Sequence, residues 1–116
     1  MGGHRGDAVA RALRDKDIHV PAHLDVEVAQ VTRRLALQAV ITPARGRAMM
    51  ELLQEAPLRR IPLAPLLPRI WTLWPNLTAY DAAYVALAEV LEAPLLTFDA
   101  RIRAAPGHGA EVLVPS

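Results

Sequence analysis

The chain has 116 residues, 53% of them hydrophobic, no cysteine and a formal net charge of +1. This supports one domain over 1–116 with a single core, excludes a disordered chain, disulfides and thiolate metal sites, and fits a cytoplasmic protein. Apolar runs are broken well short of the roughly 18–20 residues of a membrane span, and the first residues lack a signal-peptide core, so no membrane association is expected.

In chain order, the pattern predicts a helix over 5–17, opened by Gly6 and Asp7, with Val9, Ala12 and Leu13 as a narrow apolar stripe. Ile18, His19 and Val20 read as a short strand stopped by Pro21. Asp25 is placed to cap a helix over 26–37 whose core side is Val28, Val31 and Leu35. Thr42 followed by Pro43 is a helix start, and that helix runs to Glu55 and buries Met49, Leu52 and Leu53. Residues 58–62 form a strand towards a sheet edge, because Pro62 has no N–H to donate. A helix over 65–74 follows, with Pro65 and Pro68 at its start and Leu66, Leu67, Ile70, Leu73 and Trp74 apolar.

The stretch 78–99 is the most informative. Thr78 and Asp81 form a capping-box-like start to a helix over 79–92, with Val85, Ala88 and Leu91 on one face. After Pro94 comes a buried strand over 95–98, then Asp99 capping a turn through Arg103, a loop at Gly107-His108-Gly109 and a last strand over 111–114. Strands alternating with helices imply a parallel sheet covered on both faces.

Three acids stand where such a sheet puts its chemistry: Glu27 and Asp81 in first helical turns, and Asp99 at a strand end. Converging carboxylates suit Mg²⁺ or Mn²⁺, and such an ion serves phosphodiester hydrolysis. Each acid also has a structural explanation. Asp81 suits a helix N-terminus by charge and by reaching the Thr78 N–H, Asp99 suits an N-cap, and Glu27 suits a first turn. Sequence physics leaves both readings open. His4, His19, His23 and His108 have no metal-ligand spacing and read as surface or satisfied histidines. Trp71 and Trp74 read as core or subunit interface, and Arg33-Arg34 and Arg59-Arg60 as solvated faces, with base stacking and RNA contact as alternatives.

Residues 77–89 (Leu-Thr-Ala-Tyr-Asp-Ala-Ala-Tyr-Val-Ala-Leu-Ala-Glu), followed by 95–101 (Leu-Leu-Thr-Phe-Asp-Ala-Arg), closely resemble the C-terminal half of PIN-domain ribonucleases, specifically VapC-type toxins of toxin–antitoxin pairs. Residues 21–30 resemble the family's second acidic segment. The resemblance implies a three-layer α/β/α fold with a five-stranded parallel sheet, and RNA cleavage with Mg²⁺ or Mn²⁺. Glu27, Asp81 and Asp99 match three of the family's acids as metal ligands, and Thr78 matches a helping Thr or Ser. The implied partners are an RNA substrate, a cognate antitoxin and a second copy in a homodimer. The family also opens with an apolar strand ending in Asp, central to the sheet and the source of a further acid. No such segment precedes residue 18 here. The chain is therefore expected to be N-terminally shortened by about twenty residues, a strand plus a short helix, with weak or no activity on its own. Two rivals remain. One is a non-catalytic remnant that only binds an antitoxin or dimerises. The other is a receiver-like phosphotransfer domain, which wants a late lysine, whereas the sole lysine is Lys16.

Overall fold

A computed structural model describes residues 17–97 and 99–115. The helix expected over 5–17 lies outside the described residues, as do His4, Lys16 and Phe98.

Strand β1 spans Ile18–Pro21, followed by helix α1 at Leu24–Leu37, helix α2 at Pro43–Glu55 and strand β2 at Leu58–Ile61. The chain then makes a 3-10 turn over Ala64–Leu66 and helix α3 over Leu67–Thr72. Helix α4 occupies Ala79–Leu91, strand β3 Leu95–Leu96, helix α5 Ala100–Ala104 and strand β4 Val112–Leu113. All the expected elements from residue 18 onward are present. The prolines account for the main change in outline, since Pro65 and Pro68 each sit in a first turn and divide the expected 65–74 helix into a 3-10 and an α segment.

Both strand pairings are parallel. β1 runs beside β2 with Ile18 opposite Leu58 and Pro21 opposite Ile61, and β3 runs beside β4 with Leu95 opposite Val112. Among the described residues these are two separate two-stranded sheets, not the single five-stranded sheet implied by the family resemblance. Helix α4 packs against both β1 and β3 and so ties the two sheets together.

The core is built on α4. Ala82, Ala83, Val85, Ala86, Leu87 and Ala88 are all buried, with Leu66, Ile70 and Leu73 on one side and Ile102 and Val112 on the other. The small alanine side chains let neighbouring backbones approach closely without losing helix propensity. Thr78 caps this helix, its hydroxyl accepting from the Asp81 N–H at 3.2 Å. Thr42 does the same for α2, accepting from the Arg45 N–H at 3.1 Å.

Five expectations about these segments need correction. Asp25 does not cap α1: the N-cap position is His23, and the Asp25 carboxylate pairs with Arg60 at 2.7 Å. Arg60 also donates to the Leu53 carbonyl, so it is a partly buried tie between α1, α2 and β2 and not a solvated arginine. The inner face of α1 carries Thr32 in place of Val31, which is 49% exposed. Thr32 tolerates burial because its hydroxyl donates to the Val28 carbonyl at 2.8 Å, and its methyl fits against Gly46 of α2, where an added Cβ would lie 3.3 Å from it. Leu52, Leu67, Trp71 and Trp74 are also exposed, so the core reading of the two tryptophans fails; their rings stack on each other at 6.0 Å. Among the described residues no helix is long and apolar enough to cross a membrane.

A polar staple closes the C-terminal half. Arg69 of α3 donates to both oxygens of Glu89 on α4, at 2.7 and 2.9 Å, and to the Gly107 carbonyl, while the Gly109 N–H donates to Glu89 at 2.8 Å. Gly107 has φ of 95°, a conformation that needs glycine. The hydrogen bonds from Arg69, helped by the Gly109 N–H and the Arg69 charge, hold the Glu89 carboxyl below its ordinary range. A depressed carboxyl stabilises the fold above its unfolded pKa, and that contribution is lost as pH falls through the folded value. Glu89→Gln is therefore expected to lower the unfolding free energy measured by urea titration at neutral pH by about 1 kcal/mol, a modest figure because Arg69 is partly exposed to screening solvent. The difference from the parent should shrink steadily through acid pH; a deficit independent of pH would contradict the assignment.

Candidate metal centre and its comparison with known proteins

The sequence-predicted acids arrive from three elements. Glu27 projects from the first turn of α1, Asp81 from the first turn of α4, and Asp99 caps α5, its carboxylate accepting from the Arg101 N–H at 3.0 Å. All three are half-buried. Their mutual influence is visible at Asp81. Its carboxyl is pushed above the ordinary value, first by burial and then by the negative charges of Asp99 and Glu27, while Thr78 and the Arg101 charge act in the opposite direction. The acids therefore share one electrostatic region with too little positive charge in it.

They do not yet form a closed ligand set. Among the described residues, no three His, Asp or Glu side chains stand close enough together to hold a metal ion. Asp99 is engaged elsewhere: Arg101 donates to both its oxygens at 2.8 and 3.0 Å. Those bonds, with the Arg101 N–H, hold the Asp99 carboxyl below its ordinary range. The Thr78 hydroxyl accepts from the Asp81 N–H and also acts on the Asp81 carboxyl, so Thr78 touches both ends of that residue. As a donor set the site suits a hard divalent cation, with oxygen ligands and excess negative charge. For Asp99 to hold such an ion it would have to release Arg101.

Three further residues complete the surroundings: Tyr84 and Arg101, given no site role from the sequence, and His23, expected to be a surface or satisfied histidine but mostly buried with one ring nitrogen unpartnered among the described residues. The Tyr84 hydroxyl donates to Glu27 Oε1 at 2.6 Å across a sequence separation of 57. Burial first, then that hydrogen bond and the Glu27 charge, push the Tyr84 hydroxyl far above its ordinary value, so it acts as a fixed donor. His23 Nε2 lies 3.2 Å from the Tyr80 carbonyl and 3.5 Å from Glu27 Oε1. Among the described residues, His23 Nδ1 is buried without a partner. The His23 ring also meets the edge of Tyr84 at 5.0 Å. Arg101 is the third. Tyr84 could have been found from its position three residues after Asp81, on the same helical face. Arg101 and His23 carry no comparable signal. His108 is a satisfied histidine as expected, with Nε2 2.8 Å from the Ile102 carbonyl and Nδ1 accepting from the Ala110 N–H.

The model of the PIN domain family matches residues 2–107 of this chain. The chain belongs to the PIN domain family. Within it the resemblance is to VapC proteins. The chain is 42% identical over 107 residues to Ribonuclease VapC12 of Mycobacterium tuberculosis (strain ATCC 25618 / H37Rv), a match covering 92% of this chain and 83% of the relative. It is 42% identical over 97 residues to Ribonuclease VapC9 of the same strain, covering 83% and 76%. With Ribonuclease VapC1 the identity is 41% over 101 residues, covering 86% and 76%. This PIN domain is thus VapC-like along most of its length, and both capped helices and the Glu27, Asp81 and Asp99 positions fall inside the matched family region.

An acid whose folded pKa is raised costs stability above that pKa, and the cost disappears as pH falls through it. Asp81→Asn in chelator-containing buffer is therefore expected to raise the thermal midpoint at neutral pH, with the gain narrowing towards acid pH. Calorimetry across the pH range reads this directly. A destabilised variant would mean that Asp81 serves chiefly as a helix-start charge.

Proposed function

We propose that this PIN domain is a metal-dependent endoribonuclease toxin of a toxin–antitoxin pair, hydrolysing RNA phosphodiester bonds. The observation that carries the reading is the placement of Glu27, Asp81 and Asp99, from α1, α4 and the start of α5, near enough that the charges of Asp99 and Glu27 act on Asp81. The similarity to proteins named as VapC ribonucleases supports the reaction class. In this reading Glu27, Asp81 and Asp99 hold Mg²⁺ or Mn²⁺. Such an ion, when bound, supplies an activated water and stabilises negative charge on the phosphodiester.

The protein's own residues prepare that site. Thr78 fixes the first turn of α4, and with it the position of Asp81. Tyr84 orients Glu27 by a short hydrogen bond, leaving the second Glu27 oxygen for a ligand. Arg101 neutralises Asp99 in the structure described and, on release, becomes an exposed guanidinium beside the site, suited to a phosphate oxygen. A cognate antitoxin and a second copy are the proposed protein partners. The reading extends the expected three-layer α/β/α architecture to the whole protein.

A second reading has its own observation. The stacked Trp71–Trp74 pair is about two-thirds exposed, and Asp99 is tied to Arg101, which together fit a chain that binds an antitoxin or dimerises without cutting RNA. Incubation with a mixed RNA substrate and Mn²⁺ separates the two. Cleavage that stops with chelator and falls at least about 100-fold in Asp81→Asn is the expected outcome. Undiminished cleavage by that variant removes Asp81 from the mechanism, and antitoxin binding without cleavage by the parent favours the second reading. Tyr84→Phe is expected to weaken Mn²⁺ binding by about tenfold, because the Glu27 carboxylate loses its orienting donor. Calorimetric titration of the ion measures this without reference to activity.

A further inference from the structure

His23 stands where two of the acid-bearing helices begin. It is the N-cap residue of α1, and its carbonyl accepts from the Glu27 N–H at 3.1 Å, so it belongs to the turn that carries Glu27. Its ring reaches across to the first turn of α4, where Nε2 lies 3.2 Å from the carbonyl of Tyr80, the residue before Asp81. The same nitrogen lies 3.5 Å from Glu27 Oε1, the oxygen that also accepts from the Tyr84 hydroxyl. The ring is tilted against Tyr80 at 6.0 Å and meets Tyr84 edge-on at 5.0 Å. Among the described residues, only two hydrogen bonds join the start of α1 to α4: Tyr84 to Glu27, and His23 to Tyr80.

The chemistry of the ring separates positioning from packing. The side chain is 13% exposed, and Nδ1 has no partner among the described residues. A buried polar atom left without a hydrogen bond is destabilising. A residue present only to fill this space would do better as a phenyl ring, which has a similar shape and no such atom. What the imidazole adds is the polar atom at Nε2. Both groups facing that atom belong to the acidic site: the Glu27 carboxylate, and a backbone oxygen one residue from Asp81.

We propose that His23 is a positioning residue that sets the spacing of Glu27 and Asp81 by tying the cap of α1 to the first turn of α4. The two links divide the work. Tyr84 orients the Glu27 carboxylate, and His23 holds the two helix starts, and with them the two acids, at a fixed separation. The proposal rests on the reading of Glu27 and Asp81 as ligands of a divalent ion. Oxygen ligands must meet such an ion at set distances, so a change in their separation appears in its affinity.

Calorimetric titration of Mn²⁺ into the full chain tests this without RNA. Thermal midpoints in chelator are read first, so that each variant is titrated folded. His23→Phe keeps a ring against Tyr84 and removes the polar nitrogen; His23→Gln gives up the ring and can place an amide near the Nε2 position. His23→Phe is expected to weaken Mn²⁺ binding about tenfold, while His23→Gln stays within about threefold of the parent. Equal affinity in the parent and His23→Phe, or a loss in His23→Gln as large as in His23→Phe, overturns the proposal and leaves His23 a packing residue. Should His23→Phe not fold, His23→Asn replaces it, since its shorter amide falls short of the Nε2 position; equal affinities of the Asn and Gln variants then overturn the proposal. An Asp81→Asn control keeps the two readings apart. Binding by the parent that Asp81→Asn loses upholds the metal reading whatever the His23 variants do. Equal binding by parent and Asp81→Asn, or binding by neither, sinks the metal reading and the role of His23 with it.

Discussion

The position of Asp81 depends on a helix that cannot move. From Ala82 to Ala88 helix α4 is almost completely buried, so a shift of its first turn would have to displace Leu73, Ile102 and Val112 together. Close-packed interiors resist such displacements. The energetic weight of the core is in this way transferred to a single half-buried carboxylate at the helix start. Thr78 completes the arrangement by closing the turn from outside, and the Arg69–Glu89 staple secures the other end of the same helix against α3 and the loop at 107–109.

The same anchoring explains why charge can accumulate at the site. A flexible acid would swing into solvent and relieve the repulsion. The backbone of Asp81 is fixed by the Thr78 cap, and Glu27 is held by Tyr84 from the same helix α4. Only Asp99 has found a positive partner, in Arg101 two residues away. Asp81 is therefore held under the negative charges of Asp99 and Glu27, although Asp99 is itself paired with Arg101. This is the pattern expected where stability is given up for binding a cation.

Much of this was legible from local chemistry. Thr78 and Thr42 as caps, the proline-punctuated strand at 18–21, the helix body at 79–91 and the Asp99 cap all follow from short-range rules and are present in the structure. What local rules could not supply was contact across the chain. Asp25 looked like a cap because its long-range partner, Arg60, is 35 residues away. Val31 and Leu52 looked like core because apolar spacing marks a helical face without saying which of two adjacent stripes meets a neighbour; Thr32 and Gly46 win on α1 and α2 through a close approach that hydrophobicity does not record. The acids of the site were legible as positions. The pairings of Tyr84 with Glu27 and of His23 with Tyr80 were not, since they depend on the placement of α1 against α4, whereas Arg101 pairs with Asp99 only two residues away.

The division of the strands into two pairs follows from which contacts each pair can make alone. β1 and β2 are joined by the α1–α2 hairpin and the Arg60 tie, so their register is set without help from the rest of the sheet. β3 and β4 are joined through α5, whose Ile102 packs into the core. Neither pair hydrogen-bonds the other among the described residues; both rest on α4. Helix α4 therefore has two structural duties that sequence periodicity alone would not separate: its buried face organises the core, and its side between β1 and β3 spans the gap between the two sheets. Tyr84 belongs to both regions, bonding Glu27 while also lining the open groove between the two sheets. Through Tyr84, a single hydrogen bond joins the packing between the two sheets to the acidic site.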